Sequence, residues 1–172
     1  MSRNIEIKAR VADIGVLAQT VAPLAARGPV VIQQDDTFFR CPSGRLKLRT
    51  FSPTEGELIF YRRADQLGPK ESFYVRSPTT SPHTLREALT LAYGQVGRVV
   101  KERTLFLVGR TRVHLDAVQG LGAFMELEVA LEDGETSETG VLEAHSLMAR
   151  LGIEPSQLVD VAYVDLLANS GV

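Results

Sequence analysis

Glu6, Lys8 and Arg10 occupy every second position of residues 4–11, with Ile5, Ile7, Ala9 and Val11 between them. Successive side chains of an extended strand point to opposite faces, so this spacing puts both signs of charge on one face and apolar groups on the other. The pattern recurs along the chain. Arg45, Lys47 and Arg49 alternate with Leu46 and Leu48; Lys101 and Arg103 share a face; so do Arg112, His114 and Asp116; Glu126 and Glu128 alternate with Met125, Leu127 and Val129. In residues 57–64 the same reading groups Leu58, Phe60 and Arg62. The signs are segregated, with acids on the first strand and the last two and bases on the strands between. Lys and Glu are poor strand formers, and a merely solvated strand face usually carries Thr and other β-branched residues. Charge sorted in this way predicts a face that meets something other than bulk water.

If these faces line a closed or nearly closed eight-stranded barrel, its interior has room for one small ligand. Roughly nine bases and four carboxylates cannot share a dry interior, where each unpaired ion costs on the order of several kcal/mol. A highly charged anion bridged by a cation would use both sets. Arg and Lys bind phosphate oxygens through charge-assisted hydrogen bonds. Carboxylates beside them would repel phosphate unless a divalent metal sits between, and Mg²⁺ is the usual choice. The expected ligand is a polyphosphate such as a nucleoside triphosphate.

The elements that must position these residues follow from the chain's punctuation. Asp13 is an N-cap for a helix over 14–27, weakened at Pro23. "VVIQQ" and "DTFFRC" read as two short strands, and Pro42-Ser43-Gly44 as a turn. "RLKLRTF", "ELIFYRRA" and "SFYVRS" read as hairpin strands. A helix is expected over 81–94, strands over 97–108, 110–118 and 123–132, and helices over 138–151 and 156–168. Consecutive strands with helices at the edges argue for an α+β class with an antiparallel sheet. The 172 residues fit one domain spanning 1–172, and a 44% hydrophobic and 23% charged composition is ordinary for a globular protein. A net charge of −2 with no Trp argues against nucleic-acid and membrane-surface partners. The single cysteine, Cys41, excludes an internal disulfide framework and reads as a turn residue rather than a nucleophile. With neither an apolar N-terminal run nor a membrane-length apolar stretch, a cytoplasmic protein is expected.

In order, "NIEIK", "LKLR" at 46–49, "YR" at 61–62, "VVKERTLFLVGRTRVHLDAVQGLGAFMELEV" at 99–129 and "AY" at 162–163 with the following "DLL" resemble the CYTH superfamily, the triphosphate tunnel metalloenzymes. The stretch at 99–129 looks most like the class IV adenylate cyclase branch. The resemblance implies an antiparallel eight-stranded β-barrel tunnel with helices outside, which binds a triphosphate with Mg²⁺ or Mn²⁺. By that resemblance Lys8, Lys47, Arg49, Arg62, Lys101, Arg103 and Arg112 grip phosphates, and Glu6, Glu126 and Glu128 hold metal. Lys101, Arg62 and Asp116 stand as the catalytic candidates, Asp116 as a tunnel acid supporting metal or a basic neighbour. His114 reads equally as a ligand or as a structural hydrogen-bonding residue; Asp35 and Asp36 read equally as tunnel-mouth or turn residues.

Two departures stand out. Asn4 replaces the first Glu of the signature, which keeps an amide oxygen but removes a charge. Arg62 stands where some hydrolytic members carry a Lys partnered by a Tyr, and 37–39 read Thr-Phe-Phe. An arginine is essentially never deprotonated, so the expectation tilts to cyclisation of ATP to cyclic AMP and pyrophosphate. The alternatives are hydrolysis of inorganic, thiamine or nucleoside triphosphate, or a nucleotide-binding module without turnover. The cyclase branch also implies a tendency toward homodimers.

Overall fold

The apolar face of the first strand, β1 (Ser2–Arg10), is sealed: Ile5, Ile7 and Ala9 are each 0% exposed. What covers them is helix rather than sheet. The structure, a computed structural model, describes residues 2–170. After β1 come α1 (Ile14–Val21), β2 (Arg27–Phe39), β3 (Arg45–Ser52), β4 (Glu55–Arg63), β5 (Lys70–Thr79), α2 (Pro82–Tyr93), β6 (Gln95–Val108), β7 (Thr111–Val118), β8 (Gly122–Ala130), α3 (Ser137–Arg150) and α4 (Tyr163–Ser170). The strands close into one antiparallel barrel in the order β1-β5-β4-β3-β2-β6-β7-β8, with β8 returning to β1. No helix among the described residues is long and apolar enough to cross a membrane.

The main core lies outside the barrel wall. Ile5 and Ile7 of β1, Val113 and Leu115 of β7, and Met125, Leu127 and Val129 of β8 pack against Leu17 and Val21 of α1 and Ala144, Leu147 and Met148 of α3. Each of these strands therefore turns its alternate, charged face into the bore. Helix α1 starts where Asp13 accepts a hydrogen bond from the Val16 amide, and it gives way to a short 3₁₀ turn, Ala22–Leu24, around Pro23.

Two expected elements differ. The segments read as two short strands are one continuous β2, because β6 pairs with it from Arg27 to Phe39 and carries it past the point where β3 stops. The expected helix over 156–168 begins only at Tyr163, after a 3₁₀ turn at Pro155–Gln157. The intervening chain is drawn to β1, where the Val159 amide donates to Lys8 O and Ala9 forms an antiparallel bridge with Leu158.

That segment plugs one barrel end. Ala162, Tyr163 and Val164 pack with Phe38, Val99, Val118 and Phe124. Gly97 permits the approach, since a Cβ there would lie 2.3 Å from a Val164 methyl. At the opposite end, where β3 finishes and β4 begins, Ile32, Phe51, Leu105 and Arg112 are part-exposed and Arg76 is exposed.

Candidate active site

The bore is a cavity of about 260 Å³, and strand register decides which residues enter it. Asn4 and Lys8 enter from β1; Gln34 and Asp36 from β2; Lys47 and Arg49 from β3; Tyr61 and Arg63 from β4; Lys101 and Arg103 from β6; Arg112 and His114 from β7; Glu126 and Glu128 from β8.

Two deeply buried aspartates organise the bases. Asp36 accepts from Lys47 Nζ at 2.9 Å and from Arg49 Nε and Nη2 at 2.8 and 2.7 Å. Asp116 accepts from Lys101 Nζ at 3.2 Å, from Arg103 Nε and Nη2 at 2.8 and 2.7 Å, and from the Tyr163 hydroxyl at 2.9 Å. Burial opposes charge on both carboxylates, but the bidentate arginine and the lysine beside each outweigh it and hold both well below the ordinary range. Both stay ionised, so each fixes two bases while the remaining N–H groups of those bases stay available to the cavity.

A third group is less fully engaged, with Arg103 donating to Glu126 at 3.2 Å and Arg112 to Glu128 at 2.9 Å. His114, Glu126 and Glu128 each offer a ligand atom, all within 4.8 Å of one another. His114 Nδ1 is buried without a hydrogen-bond partner among the described residues, and so is Asn4 Oδ1 in the same cavity. Burial, reinforced by Arg103, pushes His114 down to about 4, so the imidazole is neutral at pH 7. Against the burial cost, Arg112 and Arg103 help hold Glu128 below its ordinary value, and Lys8, Lys101 and Arg103 keep Glu126 well below its own. Two ionised carboxylates and an unpartnered imidazole nitrogen make a donor set that fits a divalent cation.

Burial also lowers the bases themselves. Lys8 lies 4.1 Å from the Tyr163 ring centroid, donates to Val161 O at 3.1 Å, and is pushed down to about 7. Lys47 is pushed down to about 8 by burial and by Arg49, against the pull of Asp36. The tyrosines move the other way: burial raises Tyr61 to about 12 and holds Tyr163 well above its ordinary value, so neither serves as a base, and Tyr163 donates to Asp116.

A family model for the CYTH domain matches residues 2–163. The chain belongs to the CYTH family. It is 27% identical to adenylate cyclase CyaB of Aeromonas hydrophila over 178 aligned residues, covering 97% of this chain and 90% of that one. Among solved structures it superposes on the PH1012 protein of Pyrococcus horikoshii with a TM-score of 0.84, at 21% identity and over 95% and 98% of the two chains. It also superposes on HpAC1 of Hippeastrum, described as having a dominant triphosphatase activity, with a TM-score of 0.62 at 17% identity, over 98% and 96%.

Within this CYTH barrel the residues singled out by sequence mostly converge. Lys8, Lys47, Arg49, Lys101, Arg103, Arg112, Glu126 and Glu128 line one cavity. Asp116 is buried beneath them. Glu6 faces Glu128 across the β1–β8 pair but is held by Arg63 Nη1 at 3.0 Å; burial and Glu128 push its pKa up. It therefore stands beside the His114, Glu126 and Glu128 group rather than in it. Asp35 and Asp36 are strand residues of β2, not turn residues. Asp35 lies outside, paired with Arg98 at the surface, and Asp36 lies inside.

Arg62 is a correction. It is exposed on the outer wall, its guanidinium over the rings of Phe60 (5.4 Å) and Phe73 (6.0 Å), and Arg63 takes the inward place. Residues 57–63 carry apolar side chains on both faces, so alternation alone does not fix the phase. Pairing with β3 does: Tyr61 stands opposite Arg45 and Ile59 opposite Lys47, which turns odd-numbered residues inward. The inward residue is still an arginine, so the departure from a Lys–Tyr pair persists at Arg63. Sequence reading did not name Arg63, Gln34, Tyr61 or Tyr163 as site residues, although Tyr61 and Tyr163 lie in the "YR" and "AY" motifs. Arg62→Ala is expected to leave triphosphate affinity within about twofold of wild type, as surface changes usually do. Arg63→Ala should weaken it by roughly tenfold or more, the worth of a charge-assisted hydrogen bond. Titration calorimetry with tripolyphosphate checks both.

Proposed function

We propose that this CYTH barrel binds a metal-bridged triphosphate in its bore and acts on ATP as a class IV adenylate cyclase does. The observation that carries the reading is the pairing of the His114, Glu126 and Glu128 cluster with eight basic side chains in one small cavity: Lys8, Lys47, Arg49, Arg63, Arg76, Lys101, Arg103 and Arg112. At about 260 Å³ the cavity falls just under the range of roughly 300–1,000 Å³ typical of small-molecule sites. It suits a triphosphate chain lying in the bore with its organic group toward the open end.

Glu126, Glu128 and His114 would hold Mg²⁺ or Mn²⁺, with Glu6 and Asn4 adjacent. The ion would supply charge neutralisation between the carboxylates and the phosphate oxygens. The chain's own contribution is positioning and electrostatics, which dominate phosphoryl chemistry. Asp36 presents Lys47 and Arg49, and Asp116 presents Lys101 and Arg103, as preset donors for the β and γ phosphates. Asp116 is too strongly held in its ionised form to take up a proton, so it is a positioning residue. In the reaction the ribose 3′-oxygen attacks the α-phosphorus, the bond from that phosphorus to the bridging oxygen breaks, pyrophosphate leaves, and the hydroxyl proton passes to solvent.

Product analysis by anion exchange after incubation with ATP, and separately with tripolyphosphate, in Mg²⁺ or Mn²⁺ tests the reading. Cyclic AMP with pyrophosphate is the expected result. ADP with orthophosphate, or pyrophosphate and orthophosphate from tripolyphosphate, would replace it with a triphosphatase. Absence of any product, with ATP still bound, would replace it with a binding module.

Lys47 adds a pH signature. Its folded pKa of about 8 lies below the ordinary 10.5, so between these values the empty folded protein binds fewer protons than the unfolded chain, and this group favours folding as pH rises through that window. A bound polyanion restores the charged form. Tripolyphosphate binding at pH 8.5 should therefore take up protons and weaken as pH rises further. Calorimetry in buffers of different ionisation enthalpy should show net uptake, reduced in Lys47→Arg.

A further inference from the structure

Tyr163, the first residue of α4, is buried at the closed end of the bore. Its hydroxyl donates to Asp116 Oδ2 at 2.9 Å, and its ring meets Phe124 edge-on, with centroids 4.9 Å apart. These contacts fix the ring where two buried ammonium groups converge on it. Lys8 Nζ lies 4.1 Å from the ring centroid and Lys101 Nζ 4.8 Å. The face of an aromatic ring is the negative part of its quadrupole, and it attracts a cation most strongly where water is excluded. The two lysines repel each other, and each has a carboxylate at hand: Glu126 is 3.6 Å from Lys8, and Asp116 is 3.2 Å from Lys101. Lys8 nevertheless stops short of hydrogen-bonding distance to Glu126. It is held back by Val161 O, at 3.1 Å, and by the Tyr163 ring, both from the C-terminal segment.

We infer that Tyr163 is a positioning residue of the triphosphate site, whose ring holds the Lys8 and Lys101 ammonium groups ready for phosphate and keeps them from closing on Glu126 and Asp116. This rests on the triphosphate reading above and adds to it a residue supplied by α4 rather than by the barrel. An ammonium group has three donors, and Val161 O takes one of those on Lys8, so two remain for phosphate oxygens. With Lys8 held off, Glu126 keeps a lone pair for a cation. Without the ring, each ammonium group settles on its nearest carboxylate, and phosphate has to draw it away. The chain leading to Tyr163 is anchored for this placement from two strands: the Val159 amide donates to Lys8 O of β1 at 2.9 Å, and Lys70 Nζ of β5 donates to Asp160 O at 2.7 Å.

The test changes the charge distribution of the ring while keeping its shape. Tripolyphosphate is titrated calorimetrically, in Mg²⁺, into wild type, Tyr163→Phe and a variant with pentafluorophenylalanine in place of Tyr163, in which fluorine draws electron density off the ring face. Both replacements lack the hydroxyl, so the difference between them isolates the ring. Tyr163→Phe should stay within about threefold of wild type, the worth of one neutral hydrogen bond, because Asp116 still accepts from Lys101 and Arg103. The fluorinated variant should bind roughly 10-fold more weakly than Tyr163→Phe, the scale of a desolvated cation–π contact. Val164→Ala, which alters only the packing of α4 on Gly97, should lower the melting temperature and leave affinity within about twofold. Equal affinities for the two Tyr163 variants, or a loss in Val164→Ala as large as in the fluorinated variant, would overturn the positioning role and leave the triphosphate reading intact. Wild-type protein that binds neither tripolyphosphate nor ATP would overturn that reading, and the role with it.

Discussion

Replacing Glu126 and Glu128 together by glutamine is expected to abolish metal-dependent turnover, by roughly 10³-fold or more, while leaving the barrel folded. The size follows from removing preorganised charge at a site where charge develops, for which a single lost group already costs about 10²–10³-fold. Glutamine keeps shape and hydrogen-bonding capacity, so Arg103 and Arg112 retain partners, and neutralising Glu128 relieves the like charge facing Glu6 across the β1–β8 pair. Both carboxylates are held below their ordinary range by the surrounding bases, so neutralising them should also lower stability, and circular dichroism checks that the variant is folded before Mn²⁺ is titrated. Mn²⁺ affinity, followed by electron paramagnetic resonance, should fall together with the initial rate on ATP. An unchanged Mn²⁺ titration would remove His114, Glu126 and Glu128 as the metal-holding group.

Asp116→Ala is expected to have the largest effect on stability. Asp116 is 0% exposed and is the common acceptor for Lys101, Arg103 and Tyr163. Removing one partner of a buried ion pair leaves uncompensated charge at a cost of about 3–5 kcal/mol. At roughly 2–4 °C per kcal/mol for a chain of this size, the melting temperature should drop by about 6–20 °C. Saturating tripolyphosphate should return part of that loss, because a ligand that binds only the folded state stabilises it and here also supplies the missing negative charge. Differential scanning fluorimetry with and without the ligand reads both effects. A melting temperature within 2 °C of wild type, about the shift from a change of 1 kcal/mol or less, would mean that Glu126 alone suffices as a counter-ion for these bases.

Both predictions concern residues whose placement is legible in the amino-acid pattern alone. Strands β1, β7 and β8 alternate charge and aliphatic residues so regularly that one face has to be buried in apolar surroundings and the other has to face something charged, and Lys101 and Arg103 of β6 share a face. Closing eight such strands into a barrel puts Lys8, Lys101, Arg103, Arg112, Glu126 and Glu128 into one bore, and the structure does so. The CYTH motifs along those strands mark the family for the same reason: they are the charged faces.

What sequence could not settle was anything decided by a neighbour distant in the chain. The stretch at 57–63 is apolar on both faces, and only its pairing with β3 shows that Arg63 rather than Arg62 enters the bore. Glu6 carries the motif position of a metal carboxylate, yet Arg63, two strands away on β4, engages it, and His114 is the residue grouped with Glu126 and Glu128. Tyr163 lies well over a hundred residues from Lys8 and closes the tunnel because residues 158 and 159 dock on the end of β1. Alternation is a local property with a period of two, and it fixes which residues share a face. Which face looks inward, and which ions meet there, depends on strand register and barrel closure, and those are set by contacts between strands far apart in the sequence.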